Sequence, residues 1–211
     1  MNHKGCDDVK TSDQLTLGCV ILAAGNSTRF GDNKLLVEID GKMMIERALE
    51  AIPEERFSAV AVVTQYESIV HLAERYGYRA IVNRKPELGI SHSVMLGTNA
   101  LKDTCDGILY QVADQPWLRC GSVSSMLDLF CENPERIVSM SSDGKRGNPC
   151  IFPEKYFDEL CRLSGDRGGR AVIKQHEDDL ILFEVSASEL SDVDTPRDIS
   201  DRIDPLSLRG L

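Results

Sequence analysis

Residues 17–23 read L-G-C-V-I-L-A, and residues 24–34, which follow directly, read A-G-N-S-T-R-F-G-D-N-K. The first stretch is continuously apolar and β-branched in its middle, which is typical of a strand buried on both faces of a sheet. The second stretch is rich in small and polar residues and predicts a loop. The folded part of the chain is therefore expected to begin with a buried strand that leads into a polar loop.

Strands and helices alternate along the next hundred residues. Apolar runs predict strands, and 3.6-residue periodicity predicts the helices between them. The predicted strands are 58–64, 79–83 and 107–112, and the predicted helices are 42–52, a segment around 69–76, 91–101 and a segment around 123–130. Parallel strands need crossovers that are usually helical, so this order predicts an α/β, three-layer, Rossmann-like fold with a mostly parallel sheet.

The pattern changes after residue 133. Short apolar stretches at 136–140 and 149–152 flank Asp143-Gly144, which predicts a hairpin. A helix is expected after Pro153, and the last predicted strand is 180–185. We expect these elements to add an antiparallel edge to the parallel sheet.

The chain shows no proline- or serine-rich linker, no repeat and no low-complexity segment, which favours one domain. We expect this domain to span residues 17–204, after a flexible N-terminal extension at 1–16 and before a C-terminal tail at 205–211.

Composition excludes several classes of protein. The chain has 24 basic and 34 acidic residues, a net charge of −10, which disfavours a nucleic-acid binder. The longest apolar run, 19–24, is too short to span a membrane, and the polar N-terminus has no signal-peptide pattern, so we expect a cytoplasmic protein. The seven cysteines are widely spaced without a C-x-x-C pair, which predicts reduced and mostly buried thiols.

The polar loop after the first strand has the parts of a phosphate cradle. In open α/β sheets ligands bind at the carboxyl ends of the strands, which is where this loop lies. Its small residues allow backbone N–H groups to approach an anion, and Arg29 and Lys34 can close over it. It is neither a Walker A loop nor a G-x-G-x-x-G motif. The alternative interpretation is a solvated turn with two surface cations.

Acidic side chains follow two later strands. Asp114 comes directly after the predicted strand 107–112, and Asp192 and Asp194 follow the last predicted strand. Carboxylates at such positions suit Mg²⁺, which takes one or two of them together with phosphate oxygens. Each aspartate alone is also typical of a helix N-cap, so this interpretation depends on the segments meeting at one edge of the sheet.

Together these motifs resemble the molybdenum cofactor nucleotidyltransferases, over about residues 17–204. The resemblance is carried by seven segments in the same order: L-A-A-G at 22–25 with Ser27, Arg29, Gly31 and K-L-L at 34–36; G-I-S-H-S at 89–93; D-Q-P at 114–116; G-N-P at 147–149; G-D-R-G-G at 165–169; and D-V-D-T-P at 192–196. L-A-A-G is similar to the cytidylyltransferase branch, whereas the guanylyltransferase branch usually has L-A-G-G. Ala24 therefore favours CTP over GTP.

The resemblance implies a set of site residues. It implies that Leu22, Ala23, Ala24, Gly25, Ser91 and Ser93 bind the nucleotide, that Arg29 and Lys34 grip its phosphates, that Asp114 and Asp194 hold Mg²⁺, and that Arg167 and Arg170 bind the pterin phosphate. Arg29, Lys34 and Asp114 would be the catalytic groups. Whether Asp192 or Asp194 reaches the metal stays open.

The implied reaction is transfer of CMP from CTP to the phosphate of molybdopterin or the molybdenum cofactor, with release of pyrophosphate and a molybdenum hydroxylase as a possible recipient of the product. A phosphate monoester is largely ionised at pH 7, so the attack needs no general base. The chain accordingly shows no Ser-His-Asp or Cys-His arrangement in its loops.

Three alternatives remain. One is a nucleotidyltransferase that uses GTP or that acts on a sugar or alcohol phosphate. Another is a non-catalytic molybdopterin carrier, which has no use for a triphosphate and metal site. The weakest is a dinucleotide-binding oxidoreductase, because the glycine fingerprint is missing.

Overall fold

The computed structural model describes residues 15–26 and 33–200. Its nine strands are β1 (Leu17–Ala23), β2 (Glu38–Ile39), β3 (Lys42–Met43), β4 (Ala59–Thr64), β5 (Arg79–Val82), β6 (Gly107–Val112), β7 (Ile137–Ser142), β8 (Lys145–Pro153) and β9 (Leu180–Glu184). Its seven α-helices are α1 (Met44–Glu50), α2 (Glu67–Arg75), α3 (Ile90–Leu101), α4 (Cys120–Glu132), α5 (Phe157–Cys161), α6 (Arg170–Gln175) and α7 (Pro196–Ser200). The expected tail at 205–211, residues 1–14 of the expected extension at 1–16, and Arg29 lie outside the described residues.

Seven of these strands form one sheet in the order β5-β4-β1-β6-β8-β7-β9. Strands β5, β4, β1 and β6 are parallel, and β7 is parallel to β9. Strand β8 runs antiparallel to both β6 and β7, between which it lies. The mostly parallel sheet and its antiparallel addition are thus confirmed, with the reversed strand inserted inside the sheet and β9 at its end.

Helices cover both faces of the sheet, which confirms the three-layer arrangement. Helices α1, α2 and α4 bury their apolar sides in one core, together with β1 side chains such as Cys19 and Ile21. Helices α3, α5 and α6 pack on the other face against Val20 of the same strand. Strand β1 needs apolar residues on both faces because it is central, which explains its continuous apolar run.

Most elements lie where the sequence predicts them, although β8 begins at Lys145 and not at residue 149. The first predicted helix, 42–52, begins only at Met44, because Lys42 and Met43 pair with Glu38–Ile39 in a small hairpin. Helix α6 was not predicted, because its six residues are too few to show clear periodicity. The predicted turn at Asp143-Gly144 is confirmed, and both residues have positive φ angles, 51° and 71°.

The described cysteines are free thiols, and half of them are buried: Cys19, Cys105 and Cys150. Within residues 15–26 and 33–200, no helix has the length and apolar character required to cross a bilayer.

Candidate active site

A cavity of about 320 Å³ lies at the carboxyl ends of β1 and β6, and we call it the first cavity. Ligand sites in open α/β sheets are expected at this edge. Its lining includes every predicted nucleotide-binding residue of the L-A-A-G motif, namely Leu22, Ala23, Ala24 and Gly25. Lys34, Asp114 and Ser93 also line it. The structure therefore brings three separate predicted motifs to one cavity.

Lys34 joins two distant acidic segments. Its ammonium Nζ lies 2.8 Å from Asp114 Oδ2 and 3.5 Å from Asp194 Oδ1, and it donates a hydrogen bond to the Val193 carbonyl oxygen at 2.9 Å. Lys34 opens a short 3₁₀ turn, Lys34–Leu36, which Asn33 caps by accepting a hydrogen bond from the Leu35 N–H. The cap fixes the lysine between the two carboxylates.

Neighbouring charges shift the pKa values of Lys34 and Asp192. Burial lowers the pKa of Lys34, but the hydrogen bonds and charges of Asp114 and Asp194 outweigh burial and raise it above its usual value. Lys34 is therefore cationic at neutral pH. Burial raises the pKa of Asp192, and the neighbouring charges of Asp114 and Asp194 raise it further. Excess negative charge at this position favours a bound cation.

The segment that carries Asp192 and Asp194 is tied to the loop after β6. The Val193 N–H donates to the Asp114 carbonyl oxygen at 3.0 Å. The Gln115 amide Nε2 donates to Asp192 Oδ1 at 2.9 Å and to the Leu190 carbonyl oxygen at 3.0 Å. These three hydrogen bonds hold the acidic segments side by side, as the sequence analysis required for a metal site.

The donors present fit a divalent cation. Two carboxylates, from Asp114 and Asp194, converge on one positive charge, and both are partly exposed at 26% and 59%. Mg²⁺ commonly uses one or two protein carboxylates and takes its other ligands from phosphates and water. Within the described ranges no group of three or more His, Cys, Asp or Glu side chains is arranged as a metal site. The protein thus offers some of the ligands of a divalent cation, and the oxygens of a triphosphate would complete the set.

Residues after β4 hold the start of the polar loop, and the sequence analysis missed them. The Gln65 amide Nε2 donates to the Ala24 carbonyl oxygen at 2.9 Å and to Asn26 Oδ1 at 2.8 Å. The Tyr66 hydroxyl donates to the Gly25 carbonyl oxygen at 2.9 Å. These contacts tie the first residues of the loop to the segment that follows β4.

A second cavity, of about 600 Å³, adjoins the first. The two share four lining residues, Leu22, Ile90, Val112 and Asp166. Three cations line the second cavity, namely Lys145, Arg146 and Arg170, and Asp192 lies on its wall. Asp143 and Asp166 line it as well, so the second cavity offers cations to an anionic group and carboxylates to other parts of a ligand.

The remaining predicted site residues divide between these cavities and the surface. Arg170 lines the second cavity, whereas Arg167 is exposed and lines neither cavity. Ser93 lines the first cavity, but Ser91 lines neither, because its hydroxyl faces the Leu88 carbonyl oxygen and its N–H donates to the Gly165 carbonyl oxygen. The structure therefore does not bring Arg167 and Ser91 to the site.

Asn83, directly after β5, is a buried polar residue that the sequence analysis did not select. Its amide Nδ2 donates to Ser93 Oγ at 2.9 Å. Its Oδ1 accepts a hydrogen bond from the Lys85 N–H and lies 2.9 Å from His92 Nδ1. Asn83 thus connects the end of β5 to the wall of the first cavity.

A lysine lies between two carboxylates, beside a cavity at the carboxyl ends of parallel strands. These features suit a nucleotidyltransferase, and the comparisons with known proteins agree. The chain belongs to the family of the MobA-like NTP transferase domain, whose model matches residues 19–180. The resemblance noted in the sequence is thereby confirmed.

Relatives of known name share most of the chain. The purine catabolism protein PucB of Bacillus subtilis (strain 168) is 29% identical over 191 residues, which cover 85% of this chain and 92% of PucB. A manganese complex of Rv0371c from Mycobacterium tuberculosis H37Rv has a TM-score of 0.72 at 21% identity, covering 88% of this chain and 97% of that one. A CMP:2-keto-3-deoxy-manno-octonic acid synthetase complexed with CTP has a TM-score of 0.72 at 16% identity, covering 88% and 96%.

Proposed function

We propose that the protein transfers CMP from CTP to the phosphate of molybdopterin or the molybdenum cofactor, with Mg²⁺, and releases pyrophosphate. The observation that carries this proposal is the position of Lys34 between Asp114 and Asp194, beside the first cavity. Gln115 and Asp192, which neighbour these two carboxylates in the chain, line the second cavity. The nucleotide occupies the first cavity and the acceptor phosphate enters from the second.

The chain's own groups account for binding and alignment. Lys34 supplies a positive charge beside the triphosphate, and Arg29 is proposed to grip the phosphates from the same loop. Mg²⁺ held by Asp114 and Asp194 would neutralise the negative charge of the triphosphate and orient it. Arg170, with Arg146 and Lys145, attracts the anionic acceptor into the second cavity. Both reactants are anions, so charge neutralisation is the main catalytic task.

The reaction itself is a single displacement. An oxygen of the acceptor phosphate forms a bond to the α-phosphorus of CTP, and the bond from that phosphorus to the β-phosphate oxygen breaks. Pyrophosphate leaves with the electron pair. The attacking phosphate has a second pKa near 6 and is largely ionised at pH 7, so no residue has to remove a proton.

The choice of CTP depends on Ala24. Its side chain lines the first cavity and is 7% exposed, so the methyl group takes up room inside the nucleotide site. The resemblance places glycine here in the guanylyltransferase branch. The smaller pyrimidine is therefore the better fit.

The test is an assay of pyrophosphate release with purified protein, Mg²⁺, each of the four NTPs and either molybdopterin or the molybdenum cofactor. CTP with a pterin acceptor is expected to give the largest signal, and EDTA is expected to abolish it. A sugar phosphate such as ribose 5-phosphate serves as the alternative acceptor, and glycerol 3-phosphate represents alcohol phosphates.

Each result has a defined meaning. Turnover with a sugar or alcohol phosphate, and none with a pterin, would show that the proposed acceptor is wrong. Turnover with GTP as the only nucleotide would show that Ala24 does not select CTP. Pterin binding without pyrophosphate release from any NTP would favour a carrier. If the main result holds, transfer of the product to a molybdenum hydroxylase becomes the next step to assay.

A further inference from the structure

The hydrogen bonds of Asn83 fix which end of its amide faces the first cavity. Asn83 is 2% exposed. Its Oδ1 lies 2.9 Å from the Lys85 backbone nitrogen, and a backbone N–H can only donate, so the atom at that position is the carbonyl oxygen. The amide nitrogen therefore faces Ser93 Oγ, at 2.9 Å.

His92 strengthens this orientation. Its Nδ1 lies 2.9 Å from the same Asn83 oxygen. Because that oxygen can only accept, Nδ1 carries the hydrogen and donates it. Two donors thus hold the oxygen end of the amide, and a flipped amide would place its NH₂ group against both of them.

The orientation decides the role of the Ser93 hydroxyl. Ser93 Oγ accepts the hydrogen bond from Asn83, so its own hydrogen points away from Asn83. Ser93 is 5% exposed and lines the first cavity, and within residues 15–26 and 33–200 its hydroxyl has no acceptor. A buried donor without a partner is costly, which favours a ligand that accepts from it.

The position of Asn83 points to the nucleoside end of the ligand. Asn83 follows β5, whereas Asp114 follows β6, and β4 and β1 lie between these strands. Three strand spacings are about 14 Å. With the triphosphate held near Lys34 and Asp114, the base extends toward the β5 side, where Pro86 and Ile90 add apolar surface to the cavity.

Resting on the proposed function, we infer that Asn83 is a positioning residue that fixes Ser93 as a hydrogen-bond donor to the nucleobase and thereby favours cytosine over uracil. Ring nitrogen N3 of cytosine accepts a hydrogen bond, whereas N3 of uracil carries a hydrogen. A Ser93 hydroxyl that donates toward N3 is matched by cytosine and opposed by uracil.

The sharpest test is Asn83→Asp, a nearly isosteric change. A carboxylate still accepts from Lys85 and His92 but has no N–H, so Ser93 donates to it and presents a lone pair to the cavity. Calorimetric titration of the full chain with CTP and UTP, each with Mg²⁺, should show the CTP-to-UTP affinity ratio falling about tenfold. The affinity for inorganic tripolyphosphate, which has no base, should not change.

A second variant keeps the test valid if Asn83→Asp folds poorly. Ser93→Ala removes the donor with little loss of volume and should lower the CTP-to-UTP ratio by about the same factor. Adding Asn83→Asp to Ser93→Ala should lower it no further, because Asn83 acts only through Ser93. Thr98→Val removes a different buried hydroxyl of α3, one that bonds to the Val94 carbonyl oxygen, and should leave the ratio unchanged.

The outcomes separate this inference from the proposed function. Preferential binding of CTP by the unaltered protein, together with an unchanged ratio in Asn83→Asp or Ser93→Ala, overturns the role of Asn83 and leaves the transferase intact. Loss of tripolyphosphate affinity in parallel with CTP also overturns it, since the effect is then structural. Absence of any nucleotide binding by the unaltered protein overturns both.

Discussion

The two cavities of this protein adjoin at four residues but are built in different ways. The first cavity is formed mainly by loops that follow parallel strands, β1 and β6, and by the N-terminal part of α3. The second is lined by the hairpin of β7 and β8, by α6 and by the segment before α7. Its cations lie at the start of β8 and at the start of α6. The comparison thus separates a nucleotide end built on the parallel strands from an acceptor end built on the hairpin and α6.

The largest expected effect comes from Asp114, the carboxylate that lines the first cavity beside Lys34. Asp114→Asn removes a metal-binding charge and a partner of Lys34, so kcat for pyrophosphate release should fall by about 10²–10³-fold. Asp128→Asn on α4, which breaks an exposed ion pair with Arg56, is the matched control and should retain activity. Normal turnover in Asp114→Asn would show that Asp114 has no catalytic role.

A substitution in the second cavity should weaken binding of the acceptor without changing binding of the nucleotide. Arg170→Gln removes one of its three cations and should raise KM for the pterin about tenfold, while KM for CTP stays constant. Steady-state kinetics with each substrate varied in turn measures both values. Arg162→Gln, an exposed arginine paired with Asp158, controls for loss of surface charge. An equal rise in both KM values would mean that the cavities do not divide the substrates.

A substitution in the first cavity should change the choice of nucleotide. Ala24→Gly removes a methyl group from its wall and should raise kcat/KM for GTP relative to CTP by about fivefold, since such a group contributes about 1 kcal/mol to discrimination. Competition between labelled GTP and CTP measures the ratio. Ala187→Gly, the corresponding truncation in the second cavity, should leave the ratio unchanged. An equal change of the GTP-to-CTP ratio in both variants would show that nucleotide selection is not confined to the first cavity.

The smallest effect concerns stability. Folding raises the pKa of Asp192, first by burial and then by the charge of Asp114, so its ionisation opposes folding. Ionisation of Asp192 does not affect the free energy of unfolding below the pKa of the unfolded chain, about 3.9. Its destabilising effect is complete once the pH exceeds the raised pKa of the folded protein. Asp192→Asn keeps an oxygen for the Gln115 hydrogen bond and removes the charge.

Thermal unfolding should therefore show a higher Tm for Asp192→Asn at pH 7 and no gain at pH 3. For a chain of this size each kcal/mol corresponds to about 2–4 °C. The opposite pH dependence, with the gain at pH 3 only, would show that the charge of Asp192 is favourable in the folded protein.

The sequence predicted the nucleotide side of the fold well because burial leaves a clear pattern there. Strand β1 is buried on both faces, so its residues are apolar without alternation, and its bounds agree with the prediction. Asp114 directly follows a second such strand. Ligand sites lie at the carboxyl ends of parallel strands, so the position of this carboxylate at the cavity also followed from the sequence.

The acceptor side was harder to predict for a physical reason. Lys145 and Arg146 follow a turn and have the same local pattern as solvated surface cations. Their common position with Arg170 depends on where β8 inserts into the sheet, which local periodicity does not specify. The two serines illustrate a related problem. Helix α3 includes both, and residues two apart on a helix point in roughly opposite directions, so Ser93 and Ser91 cannot line the same cavity wall.

The central claim is that Lys34, Asp114 and Asp194 form the catalytic site beside the first cavity. The most direct measurement is the anomalous scattering of Mn²⁺ in crystals grown with a non-hydrolysable CTP analogue. The account predicts one strong peak coordinated by Asp114 and Asp194 and by phosphate oxygens, with the base toward Ser93. A nucleotide and metal bound away from these two carboxylates would contradict it.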